Sequence, residues 1–201
     1  MKTKLLHNKH VNRALWIILL LGLWQAAAAS GLFSPLLMPP LTAIFNALRS
    51  SIMNGELLEQ TFFSLGMVAK GLCISLAGAI LLSCLAAAST TVNGLVETIT
   101  SIFSPLPGIA LLPLIILWLG TGSGSVLFII IHSAIWPMLV NTLAGFKTIP
   151  SIYRDVAANF GLKPFQVISY IMVPSSLPYL LTGVRTGWAR SWRALVSAEM
   201  I

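Results

Sequence analysis

Five apolar runs of bilayer length restrict this chain more than any other feature. Residues 14–29, 71–88, 99–119, 126–144 and 177–201 each come close to the roughly 20 residues that carry a helix across a hydrocarbon core. Backbone amides in lipid must find partners within their own element, which leaves helices or a closed barrel. A barrel would show segments of about ten residues alternating in polarity, whereas these runs are long and do not alternate. Of the 201 residues, 57% are hydrophobic and 8% charged, against about 25% charged in an ordinary soluble domain. A soluble fold of this length has no core large enough to hide so much apolar surface. The expected fold class is therefore all-α, a polytopic helical membrane protein with about five transmembrane helices.

Charge then sets orientation. The net charge of +7 does not point to nucleic acid, because the basic residues are not gathered into one patch interleaved with aromatics. They alternate with the spans. Lys2, Lys4, Lys9, Arg13, Lys147, Arg154 and Lys163 fall on one side and Arg49 on the other, which predicts a cytoplasmic N-terminus over residues 1–13 and a transmembrane domain from residue 14 to 201. The triple alanine at 27–29 before Ser30 also resembles a signal-cleavage site, but the spans that follow favour a retained first helix. Between the first two spans, 41–52 reads as a short amphipathic helix after the Pro39–Pro40 pair. Lys70 is expected at the outer end of the second span, where its side chain can snorkel.

Pro105, Pro107 and Pro113 interrupt the third span, and the Gly-rich turn at 120–124 leads into the fourth. That turn lacks the Gly-Lys-Ser/Thr ending of a phosphate-binding loop. Cys73 and Cys84 lie about 16 Å apart along one helix, too far for a disulfide and without metal-ligand spacing. His132 reads as a satisfied interhelical polar group.

One segment, "DVAANFGLKPFQVISYIMVP" at 155–174, breaks the pattern. It carries charge and a turn, yet lies between two spans on the cytoplasmic side. Ser151 is expected to cap a first short helix, with Ile152, Val156 and Phe160 on one face. Gly161 should end it in a left-handed conformation. Pro164 should open a second piece that ends before Pro174, and Pro178 should mark entry to the last span. An interfacial helix lying on headgroups would need basic residues along its polar face, but Asp155 and Asn159 occupy it. The segment reads as a handle for a protein partner.

Asp155, Ala157, Gly161, Ile171 and Pro174 stand at the spacing of the Glu-Ala-Ala loop, with its downstream Gly, Ile and Leu-Pro, of permease subunits in ABC importers. Asp155 replaces Glu, Val156 the first Ala and Val173 the Leu. Together with "SLGMVAKGL", "PLPGIALLPLIILWLGTGSG" and "LPYLLTGVRTGWARSWRALVSAEMI", nearly the whole chain resembles the branch of that family moving sulfonates, taurine, nitrate or related solutes. The resemblance implies a coupling loop over 150–174, involving Asp155, Ala157, Ala158, Gly161, Ile171 and Pro174, that docks on a separate ATP-hydrolysing subunit. It further implies an external solute-binding protein, a second permease copy in a homodimer, and a location in the bacterial cytoplasmic membrane. Such permeases usually continue past the "AEMI" segment into a further helix, so the resemblance leads one to expect a chain that lacks it. No cofactor, metal or catalytic residue is expected.

Arg190 and Arg193 in the last span are expensive in lipid unless they face the bundle interior or water. With Arg185 they fall within about 140° of one another on a helical wheel. Pairing of Arg190 and Arg193 with Glu199 or backbone carbonyls is one reading. The other makes Arg190, Arg193 and Glu199 part of a translocation path for an anion such as a sulfonate. The rival function classes are an integral-membrane enzyme and a non-transporting scaffold. The enzyme would need clustered acids or histidines at one level, and Glu97, His132, Asp155 and Glu199 are scattered.

Overall fold

The computed structural model describes residues 9–200, with the side chain of Arg154 left aside. Lys2, Lys4 and Ile201 lie outside the described residues. Ten α-helices appear among those residues: α1 Lys9–Ala29, α2 Leu41–Met53, α3 Glu56–Ala88, α4 Thr90–Phe103, α5 Leu112–Leu119, α6 Ser123–Lys147, α7 Ser151–Asn159, α8 Pro164–Val167, α9 Val173–Ser175 and α10 Leu177–Glu199. A 3₁₀ turn at Gly108–Leu111 precedes α5, and a π-helical turn at Ile168–Met172 joins α8 to α9. The all-α expectation holds.

Three helices, α1, α3 and α6, are long and apolar enough to cross a membrane unaided. Two bent pairs bring the total to as many as five if each pair forms one span. Helix α4 and the 3₁₀–α5 segment meet at 85°, and the α8–α9 segment meets α10 at 65°. The third span was expected over 99–119 as one interrupted run. It is instead an elbow whose first arm begins at Thr90, because Pro105 and Pro107 cannot continue the helical ladder of α4.

The chain divides into two compact units, the first ending at Thr61 and the second beginning at Phe62. In the first unit, Trp24 Nε1 donates to the Pro39 carbonyl at 3.0 Å. Gln25 Oε1 accepts from the Leu41 amide at 2.9 Å, satisfying one of the free donors that open α2. None of the residues of α1 or α2 is buried, as expected where lipid is the solvent.

In the second unit α6 packs against both α3 and α10. Lipid tails are as apolar as leucine, so close approach of small residues has to hold these helices together. Gly71, Ser75, Ala79 and Ser83 form a buried ridge at four-residue spacing on α3. Gly183, Gly187 and Ser191 form another on α10. A Cβ on Gly71 would overlap the Ile130 side chain, and one on Gly183 would lie 3.0 Å from the Met138 Cα. Ile129, Ile130, Met138 and Leu139 of α6 fill the space between, each at most 1% exposed. Counting back from Ala88, Lys70 lies about 27 Å along α3. That is close to the edge of a core about 30 Å thick, and Lys70 stays exposed there.

Candidate coupling loop and mid-span cavity

Helix α7 begins one residue after Pro150, which occupies the cap position with φ −57° and ψ 140° and makes no side-chain cap bond. The expected cap by Ser151 is therefore absent. Proline already holds an extended φ suited to a helix entry, and this leaves Ser151 as the first helical residue. The other end forms as the sequence predicts. Gly161 has φ +66°, its amide donates to the Ala158 carbonyl at 2.9 Å, and the Leu162 amide donates to the Ala157 carbonyl at 3.0 Å. This pair of bonds is a Schellman motif, which satisfies carbonyls that the helix end would leave free.

Among the described side chains of α7, Ala157 is buried, at 1% exposure, while Ile152, Tyr153 and Val156, and Phe160 at its C-terminal cap, are exposed. Asp155 and Ala158 are exposed as well. Gln166 Oε1 accepts from the Lys163 amide at 2.8 Å and steadies the start of α8, with Pro164 in the first turn. Beyond it the second piece does not stop before Pro174. The chain widens into the π-turn Ile168–Met172 and continues to Ser175. A π-turn accommodates the missing amide and the ring of Pro174, which an α-helical ladder would not. Pro178 does open α10.

The stem of this segment is anchored by packing. Phe146 in the last turn of α6, Ile149 just beyond it and Met172 in the π-turn are buried together, with Cys84, Val167, Ile168, Ile171 and Val173 around them. Each large side chain buried fully contributes about 1.5–3 kcal/mol where water is the alternative. Of the loop residues singled out in the sequence, Ala157 and Ile171 serve the fold. Asp155, Ala158 and Pro174 face outward.

A second feature lies deeper. A cavity of about 430 Å³ is bounded by the elbow residues 104–109, by His132, Ser133 and Trp136 of α6, and by Arg190, Arg193, Ala194 and Ser197 of α10. His132, Ser133 and Trp136 share one face of α6 through three- and four-residue spacings, and the α10 residues do the same on theirs. Arg190 and Arg193 thus come together at one site. Glu199 does not join them; it accepts a hydrogen bond from Ser64 Oγ at 2.9 Å. Arg193 Nε donates to the Ala189 carbonyl at 3.1 Å.

His132 was expected to be a satisfied polar group, and it is not. It is 7% exposed, and neither ring nitrogen has a partner among the described residues; nor does the buried Trp136 Nε1. Trp136 stacks on Phe103 at 5.7 Å, and His132 meets Trp136 edge-on at 5.8 Å. The cavity residues are too widely drawn from the chain for local sequence pattern to join them. Gly108 makes the approach of the elbow possible, since a Cβ there would lie 2.5 Å from Ser133 Oγ.

Apolar helices of membrane length, a helical excursion closed by a Schellman turn, and a cavity lined by two arginines beside α6 and α10 together define a polytopic helical membrane protein. The chain belongs to the family of binding-protein-dependent transport system inner membrane components, whose sequence pattern matches residues 79–201. It is 30% identical over 190 residues to the taurine transport system permease protein of Escherichia coli strain K12, covering 92% of this chain and 69% of the relative. It is 34% identical over 142 residues to a nitrate import permease protein of a Synechocystis strain, covering 71% and 52%. A Methanocaldococcus jannaschii protein, provisionally named an ABC transporter permease, is 33% identical over 172 residues, covering 84% and 64%. The chain thus spans between about half and about two-thirds of the length of these relatives.

Proposed function

We propose that the chain acts as the membrane-spanning subunit of an ATP-driven importer for a small anionic solute of the sulfonate, taurine or nitrate kind. A separate ATPase subunit docks on the loop at 150–174, and an external solute-binding protein delivers the solute. A second copy of the permease completes the pathway in the cytoplasmic membrane, and the N-terminus lies in the cytoplasm. The observation that carries this reading is α7 itself. Its apolar side chains Ile152, Tyr153, Val156 and Phe160 point away from the bundle, while a Schellman turn and a buried stem hold its position.

A short amphipathic helix presented this way suits insertion into a groove on a partner, where it contributes spaced anchors. The relatives named for taurine and nitrate support an anionic solute, as do Arg190 and Arg193 at the cavity. The test is co-expression with a candidate ATPase subunit and solute-binding protein from the same organism, followed by reconstitution in proteoliposomes. ATP-dependent uptake of taurine or nitrate that needs all components is the expected result. An ATPase that never copurifies with the chain would refute the coupling assignment.

A further inference from the structure

We infer that the cavity between the elbow, α6 and α10 is a binding site for an oxyanion that only accepts hydrogen bonds, such as a sulfonate or nitrate group. The inference deepens the transport reading and rests on it for the source of the ligand. Its physical basis is an imbalance between donors and acceptors.

The donors that line the cavity are left largely without partners. Arg190 makes no hydrogen bond or ion pair among the described residues, and Arg193 uses only its Nε, on the Ala189 carbonyl. Trp136 Nε1 can only donate, and it is buried and unpaired. His132, more than nine-tenths buried, has one nitrogen that donates in its neutral form. Among the described residues, no Asp or Glu lines the cavity. Both arginine side chains are exposed at the cavity mouth, and at membrane depth a guanidinium is costly unless it meets water or a counter-charge.

Depth increases these costs. Trp136 lies about 16 Å from Lys147 along α6, near the middle of a core of about 30 Å, and His132 lies about 22 Å away, one turn further in the same core. Charged groups at this level are expected to face a partner or a water-filled cavity. An anion with several acceptor oxygens and no donor would satisfy the guanidinium forks, the indole and the imidazole together. Guanidinium geometry matches planar nitrate and tetrahedral sulfonate alike. The apolar wall from Leu106, Pro107 and Ile109 leaves room for a short alkyl tail.

The experiment measures equilibrium binding of radiolabelled methanesulfonate to the purified chain in phosphatidylcholine nanodiscs at constant ionic strength. Dimethyl sulfone, its uncharged isostere, and sodium nitrate serve as competitors. Saturable binding displaced by nitrate and not by dimethyl sulfone is expected. Arg190→Gln and Arg193→Gln should each weaken it by roughly tenfold or more. Arg190→Lys should retain part of the affinity, and Lys147→Gln, outside the cavity, should retain all of it.

Thermal unfolding of each variant shows whether a loss comes from misfolding. The Arg190→Lys variant keeps the test decisive if a glutamine variant fails to fold. Absence of saturable binding, or equal binding by wild type and both glutamine variants, would overturn the site. Displacement of the probe by phosphatidylglycerol placed in the disc would assign the same donors to a lipid headgroup and overturn a solute site. Copurification of the ATPase is scored separately. Loss of the site with intact ATPase docking leaves the transport reading standing, and the reverse result leaves the site.

Discussion

Ser75 on α3 donates its hydroxyl to the main-chain carbonyl of Ile131 on α6 across 3.2 Å, from a position with no solvent exposure. One turn earlier, Gly71 meets Ile130 with no room for a methyl group. Hydrogen bond and close contact together fix the register of the two helices. Gly71→Ala should therefore destabilise the protein by about 1–3 kcal/mol through overpacking. Gly66→Ala, on the same helix with nothing within 4 Å of its Cβ, should be neutral or stabilise by about 0.5–1 kcal/mol. Reversible unfolding in mixed micelles compares the two. Equal destabilisation by both would show that the ridge does not set the packing.

Gly161→Val should weaken the attachment of the proposed ATPase subunit while leaving the membrane bundle intact. A β-branched residue at φ +66° costs about 1–2 kcal/mol or more and would open the Schellman turn that aims α7. Copurification of the ATPase in detergent should fall, with the thermal midpoint of the isolated chain little changed. If solute-stimulated hydrolysis and copurification both persist, the handle lies elsewhere.

Gly108→Val should lift the elbow from α6, because the space of its Cβ is already taken by Ser133 Oγ and Ile129. A cysteine placed at Ser104 should then react faster with a membrane-impermeant maleimide than it does in the glycine background. Unchanged reactivity would mean that α6 gives way instead.

Topology supplies a further check. If the elbow pair crosses the membrane as one bent span, Gly122 and Lys147 lie on opposite sides. Alkaline phosphatase fused after Gly122 should be active, and fused after Lys147 inactive. Activity at both junctions, or only after Lys147, would contradict the bent span or the cytoplasmic N-terminus.

Much of the fold can be read from apolar run length alone, because lipid leaves a backbone so few options. The end of α7 was also legible, since glycine just past an amphipathic turn has a local reason to be there. Other features depend on what the segment meets. Pro105 and Pro107 announce a break, but its 85° angle follows from the docking of Gly108 on Ser133, which no local pattern encodes. The ridge at Gly71, Ser75, Ala79 and Ser83 is visible as spacing, yet becomes informative only once α6 is known to lie against it. His132 defied expectation because its surroundings are set by residues 104–109 on one side and Arg190 and Arg193 on the other. The start of α7 was misjudged by one residue, where proline rather than a hydroxyl sets the entry.

The unbroken run of α10 between the Ser176 bend and the cavity has a mechanical consequence. Leu177 and Arg190 are separated by about 20 Å of helix, with the π-turn and α7 attached beyond the bend. Taken as a stiff arm pivoting at Ser176, that length converts each degree of tilt into about 0.35 Å of travel at Arg190. A tilt of roughly eight degrees would move the guanidinium by about 2.8 Å, the length of a charge-assisted hydrogen bond. A small push on the segment from α7 to α9 would then be enough to make or break the proposed grip on an anion.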